Sequence, residues 1–182
     1  MTVTPTLTSD LQQDILRRFS QNGQFERVAK ERIAAYVTAH SEVRTHLQSL
    51  NTLLQPYSMH FGFRVFDEIV SFLAAAEENG LFGDLGASTA AFDAAVLMKV
   101  LPKFHGSRGK LEAPLRAVLA WCVNPLAPDI GPIALKLDQC ESPHAAMQFL
   151  EQVQQNSTYP KTTARVARMV WALYTDGFAS FG

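Results

Sequence analysis

The run Phe63-Arg-Val-Phe-Asp-Glu-Ile-Val-Ser-Phe-Leu-Ala-Ala-Ala-Glu-Glu-Asn79 decides the fold class. Phe66, Ile69, Val70, Leu73 and Ala76 recur at i, i+3 and i+4 and fall on one stripe of a helix, while Arg64, Asp67, Glu68, Ser71 and Glu78 fall opposite. A half-buried strand would alternate instead, which this stretch does not. Asn79-Gly80 marks the stop.

The same grammar extends in both directions. Residues 1–8 are Thr-rich with Pro5 and read as a flexible lead-in; Thr8 or Ser9 then caps a helix with Leu11, Ile15, Leu16 and Phe19, stopped at Asn22-Gly23. A second helix runs from about Gln24 to Ala39 with Phe25, Val28, Ile33 and Val37 apolar, and a third from Ser41, its expected cap, to Gln55 before Pro56. Beyond the deciding helix, a Gly-rich loop from Leu81 to Ser88 leads to a helix opened by Ser88 or Thr89 and carrying Val96, Leu97, Val100, Leu101 and Phe104, with Lys99 and Lys103 pointing away. Pro102 predicts a kink or early end, followed by a polar loop over His105 to Lys110 and a helix with Leu115, Val118, Leu119 and Cys122. Asn124 to Pro128 and Gly131-Pro132 interrupt the pattern. Ser142-Pro143 and Tyr159-Pro160 each open a helix, and Gly177 supplies a left-handed stop before Phe178–Phe181, an edge strand or apolar tail.

The expected architecture is mainly α, an irregular orthogonal array of about seven helices with at most one short C-terminal strand. It divides into a main helical domain over 9–124, an irregular linker over 125–141 and a C-terminal helical pair over 142–182 packed on it.

Composition narrows the function classes. The chain has 182 residues, with 16 Lys and Arg against 17 Asp and Glu, so no global field draws it to nucleic acid or anionic lipid. Its apolar share of 47% is that of a globular protein, and no apolar run approaches the roughly 20 residues that span a bilayer. No basic start or apolar core of signal-peptide type opens the chain, so the expected location is the cytoplasm, without a membrane partner. Cys122 and Cys140 define no disulfide framework and are expected as reduced thiols.

Catalytic and metal signatures are absent from the sequence. Gly106-Ser-Arg-Gly-Lys110 lacks the glycine spacing, the Ser or Thr after the lysine and the preceding strand of a P-loop. His40, His46, His60, His105 and His144 make no i, i+4 pair of zinc-site type. There is no Gly-x-Ser-x-Gly elbow, and the adjacent carboxylates Asp67-Glu68 and Glu77-Glu78 diverge on their helices. No cofactor, metal or catalytic residue is expected. Lys99, Lys103, His105, Arg108, Lys110 and Arg116 lie in a stretch whose only acid is Glu112, which reads either as a solvated face or as contact with phosphate, DNA or an acidic protein surface. Lys161, Arg165 and Arg168 form a second basic stripe at i, i+4 and i+7, with the same two readings. Arg64 either pairs with Glu68 one turn on or meets a ligand.

From Leu50 onward, Leu50-Asn-x-Leu-Leu-x-Pro-Tyr57, Phe61-Gly-Phe-Arg-Val-x-x-Glu-Ile69, Phe92-Asp-x-x-Val-Leu-x-Lys-Val-Leu-Pro-Lys-x-His-Gly106 and the run from Arg165 to Phe178 with Arg168, Met169, Leu173 and Gly177 stand in one order. Together they resemble the C-terminal helical lid of McrB-type AAA+ NTPases of modification-dependent restriction systems. The resemblance implies a lid without its Walker A and Walker B core: a noncatalytic domain of a restriction or defence complex, not an enzyme by itself. Its expected partners are an AAA+ NTPase core or neighbouring subunits, a homo-oligomer being one such arrangement, and Arg64 matches the sensor arginine that reaches a nucleotide. The alternative is an independent helical module binding nucleic acid or protein through the basic 99–116 stretch.

Overall fold

Prolines and glycines set the helix boundaries. Pro143 and Pro160 occupy the first turns of their helices, where a missing N–H costs nothing, and Pro56 and Pro102 open short 3-10 turns at Gln55–Tyr57 and Leu101–Lys103. In the computed structural model, which describes residues 30–81 and 87–181, these signals separate eight α-helices. They are α1 (Lys30–Ala39), α2 (Ser41–Leu54), α3 (Phe63–Glu78), α4 (Ala87–Lys99), α5 (Arg108–Val123), α6 (Ile130–Asp138), α7 (Pro143–Gln155) and α8 (Pro160–Asp176). The expected lead-in, the helix carrying Leu11 to Phe19, the start of the second helix and most of the Gly-rich loop lie outside the described residues.

The mainly α reading with a short C-terminal strand holds. Phe178–Ala179 forms that strand, β2, and its partner β1 is Gly106–Ser107, antiparallel with Gly106 opposite Ala179 and Ser107 opposite Phe178. Arg108 N–H donates to the Gly177 carbonyl at 2.9 Å and extends the pairing. Gly106 has φ of 143°, which a side chain would strain, and an added Cβ would sit 3.0 Å from the Lys110 side chain.

Several local expectations shift. Ser41 is the first residue of α2 and not its cap; His40 holds the cap position without a side-chain bond. The fifth expected helix ends at Lys99 and not Phe104, because Pro102 diverts the chain into the 3-10 turn. The polar loop over His105 to Lys110 instead holds β1 and the start of α5. Within the 125–141 segment expected as irregular, Asp129 caps α6 by accepting from Gly131 N–H at 3.0 Å, and Pro132 falls in the first turn, where proline is tolerated. Elsewhere the stops act as read: Gly80 at φ of 59° lets Leu81 N–H reach the Ala76 carbonyl and Gly80 N–H reach that of Glu77, closing α3, and Gly177 at φ of 70° closes α8.

α5 is the axis of the core. Leu111, Pro114, Leu115 and every residue from Ala117 to Cys122 are buried, a distribution all round the helix that places it inside the bundle. Around it, α2, α6 and α8 make direct contact, and α8 also packs on α4 and α7 while α3 packs on α1 and α4. One continuous apolar cluster joins Val43 on α2 to Ala179 on β2. Near its centre Trp121 stacks on Tyr159 with ring centroids 4.6 Å apart, and its indole N–H donates to the His46 carbonyl at 3.2 Å.

Candidate functional site

α1, α2 and the start of α3 diverge around a cleft of about 580 Å³. Ile33 and Val37 of α1, Leu47 of α2 and Phe61, Phe63 and Phe66 give it apolar walls, with Lys30, Arg44 and Asp67 at polar positions. Asn51 shapes one wall: its side-chain oxygen accepts from Phe61 N–H at 2.6 Å and holds the turn that launches α3 at Gly62. Phe61 is thereby buried, whereas Phe63, two residues on, is 89% exposed. A benzyl side chain that continues the apolar stripe of α3 yet stands in water is the largest exposed apolar surface among the described residues.

Arg64 stands beside it with its side chain 91% exposed, and its Nε donates to Glu68 at 3.1 Å. Lys99 Nζ of α4 reaches the other oxygen of Glu68 at 3.0 Å. Hydrogen bonds from Lys99 and then Arg64 hold the Glu68 carboxyl below its usual range. Both pairs are exposed, so neither side chain is locked away from a ligand.

The rest of the basic stretch is distributed over separate contacts. Arg108 makes a two-pronged bond to Glu112, 3.1 Å on each side, and lies 4.3 Å over the Tyr174 ring. Arg116 donates to Glu112 at 2.7 Å, to Asp138 of α6 at 2.6 Å and to the Tyr174 hydroxyl at 3.2 Å, with only 13% of its side chain exposed. Bonding from Arg108 keeps the Glu112 carboxyl low. Lys103 does not point away from the apolar face: its Nζ is buried without a hydrogen-bond partner, 5.4 Å from the Phe61 ring, and burial lowers its pKa to about 8. His105 is exposed, and its carbonyl accepts from Lys110 Nζ at 3.3 Å. Besides Glu112, the acids that neutralise this stretch are Glu68 and Asp138, which lie outside it in sequence and meet it only after folding.

On α8, Lys161 and Arg168 are exposed, and Arg165 lies half-buried with its guanidinium 4.9 Å over Phe181. Lys161 also contributes its backbone N–H to Asp93 at 2.7 Å. Sequence reasoning missed the cleft, the buried Asp93 of α4 that accepts from the first N–H groups of α8, and the bond between His46 Nδ1 and the Tyr159 hydroxyl at 2.6 Å. An apolar residue at Phe63 was visible, but its exposure was not, since it sits at the edge of the apolar stripe. Among the described residues no cluster of His, Cys, Asp and Glu could hold a metal, and no helix is long and apolar enough to cross a membrane.

The model of a domain of unknown function, DUF8727, matches residues 13–178. The chain belongs to this family. No curated protein and no solved structure matches it. The family's span takes in all three walls of the cleft, the Glu68 and Glu112 networks and the whole of α8.

Proposed function

We propose that this DUF8727 domain is a noncatalytic, lid-like helical domain that acts with an AAA+ NTPase core of McrB type, docking through the cleft and the exposed start of α3. The observation that carries this reading is Phe63, 89% exposed at the rim of an apolar cleft, with the 91% exposed Arg64 beside it. An apolar anchor next to an exposed cation suits a surface that seats on a neighbouring subunit and extends positive charge toward its bound phosphates. The N-terminal end of α3, where Gly62 provides no side-chain cap, adds positive potential on the same side. The basic 99–116 stretch supports a nucleic-acid module less well, since Lys99, Arg108 and Arg116 already meet carboxylates.

A photo-cross-linking residue placed at Phe63 in the cell of origin tests the reading. The expected adduct is with a chain carrying a Walker A core, and Arg64→Ala lowers that partner's NTP turnover at least about tenfold while leaving the cross-link in place. Adducts only between copies of this chain, or turnover indifferent to Arg64, overturn it.

A further inference from the structure

The α1–α3 cleft and the ring at its rim complement each other between two copies of this chain. Phe63 is 89% exposed beside a recess of about 580 Å³ walled by Val37, Leu47, Phe61 and Phe66, so an apolar projection and an apolar recess share one face. Within one copy Phe63 stands in water and leaves the recess unfilled. A face with both features side by side is self-complementary under a twofold axis: each projection enters the other copy's recess, and the contact closes at two chains.

Charge agrees with this arrangement. Asp67 follows Phe63 by four residues, so the two lie on one face of α3 about a turn apart. The walls that a second copy offers to that face carry Lys30 on α1 and Arg44 on α2. Among the described residues none of Lys30, Arg44 and Asp67 makes a side-chain hydrogen bond or ion pair. The projecting face thus holds an uncompensated acid and the recess holds two uncompensated cations, which selects this chain itself over an acidic protein or a nucleic acid, both of which Asp67 repels.

We infer that two copies of this chain pair about a twofold axis, Phe63 of each seated in the α1–α3 cleft of the other and Asp67 of each set against Arg44 of the other. The pair is isologous, unlike the head-to-tail contact of a ring. It goes beyond the lid reading and forms in the isolated chain, and docking on an NTPase core replaces it on the same face.

Sedimentation equilibrium of the full purified chain at micromolar concentration tests the pairing. The expected result is a reversible monomer–dimer equilibrium whose Kd rises at least about tenfold in Phe63→Glu, with circular dichroism unchanged because Phe63 is exposed in the single copy. Arg44→Asp and Asp67→Arg should each weaken self-association, and an equimolar mixture of the two variants should regain it, because the mixed pair alone sets opposite charges against each other on both sides of the axis. A defect inside either chain is not repaired by mixing. A chain that stays monomeric, a dimer indifferent to Phe63→Glu, a mixture that associates no better than either variant, or a photo-cross-linker at Phe63 that captures residues 1–29 of its own copy would each overturn the proposal. These outcomes leave the lid reading standing, since its test is the adduct with a chain carrying a Walker A core; adducts only between copies, which overturn that reading, support this one.

Discussion

Asp93→Ala should be among the most damaging single substitutions in this chain. Asp93 is 1% exposed on α4, yet it works as the cap of α8: its two carboxylate oxygens accept from the Lys161 and Thr162 N–H groups at 2.7 and 2.8 Å. Thr162 returns the contact by donating its hydroxyl to the Asp93 carbonyl at 3.2 Å, in a fully buried position. A helix N-cap contributes about 1 kcal/mol, and each donor left buried without a partner costs about 1–3 kcal/mol more. Thr162 is inaccessible to water, so at least one donor is stranded, and the total comes to about 3 kcal/mol. Since α8 packs on α4, α5 and α7, the loss should appear as a cooperative destabilisation of the whole domain and not as fraying of one helix. Urea denaturation followed by far-ultraviolet circular dichroism would read this as a midpoint lowered by about 1–3 M, given slopes of about 1–3 kcal/mol per molar. Asp93→Asn keeps one accepting oxygen and should fall between wild type and Asp93→Ala. A shift below about 0.3 M for Asp93→Ala would refute the capping argument.

Other groups give their own readouts. Glu112 has a folded pKa below its unfolded value of about 4.3, so its contribution is present above that pH and is lost as pH falls through the lower folded value; Glu112→Gln should cost about 1–3 kcal/mol near neutrality and flatten the acid arm of the stability profile. His46 is also depressed, by burial, from about 6.5, so stability should fall as pH drops from there through its lower folded value, and this component should vanish in His46→Gln, measured by thermal melts across pH. For Lys103 the folded value of about 8 lies beneath an unfolded value of about 10.4, so the domain should gain stability as pH rises between the two. Lys103→Met should remove that dependence and stabilise by up to about 1 kcal/mol at neutral pH, after allowance for solvent around the half-exposed stem; a loss of stability would count against the unpartnered amine. The purified chain alone should hydrolyse neither ATP nor GTP, and turnover that survives repeated chromatography would contradict the lid reading.

Helix content and most stops were legible because they are set by neighbours in the chain. Asn79-Gly80, Ser142-Pro143, Tyr159-Pro160 and Gly177 act through φ, a missing N–H or a side-chain cap within a few residues, and the fold uses each of them as read. The basic stretch was harder to read because its meaning depends on groups far along the chain. Glu68 meets Lys99 across 31 positions, Asp138 meets Arg116 across 22, and Tyr174 joins Arg116 across 58. Counting acids between residues 99 and 116 found only Glu112 and so overstated the free charge. Asp93 escaped for the same reason: within its own helix it is a polar residue in an apolar setting, and only the approach of α8, 68 positions later, gives it a role.

Two exposed aromatics show how far periodicity alone can go in locating a surface. Trp171 lies off the stripe of Val166, Val170 and Leu173, so its departure from the buried face was available from the sequence. Phe63 lies three residues before Phe66, at the edge of the apolar stripe of α3, so periodicity alone does not separate it from the buried side. It is exposed because the first turn of α3 overhangs the cleft instead of meeting another described helix there. The departure at Trp171 concerns helix phase; the one at Phe63 concerns where the packing partner ends. An apolar stripe that outruns its partner within the domain leaves a cohesive surface available to another partner. That physical reasoning is why the α3 rim is proposed to seat on a protein neighbour.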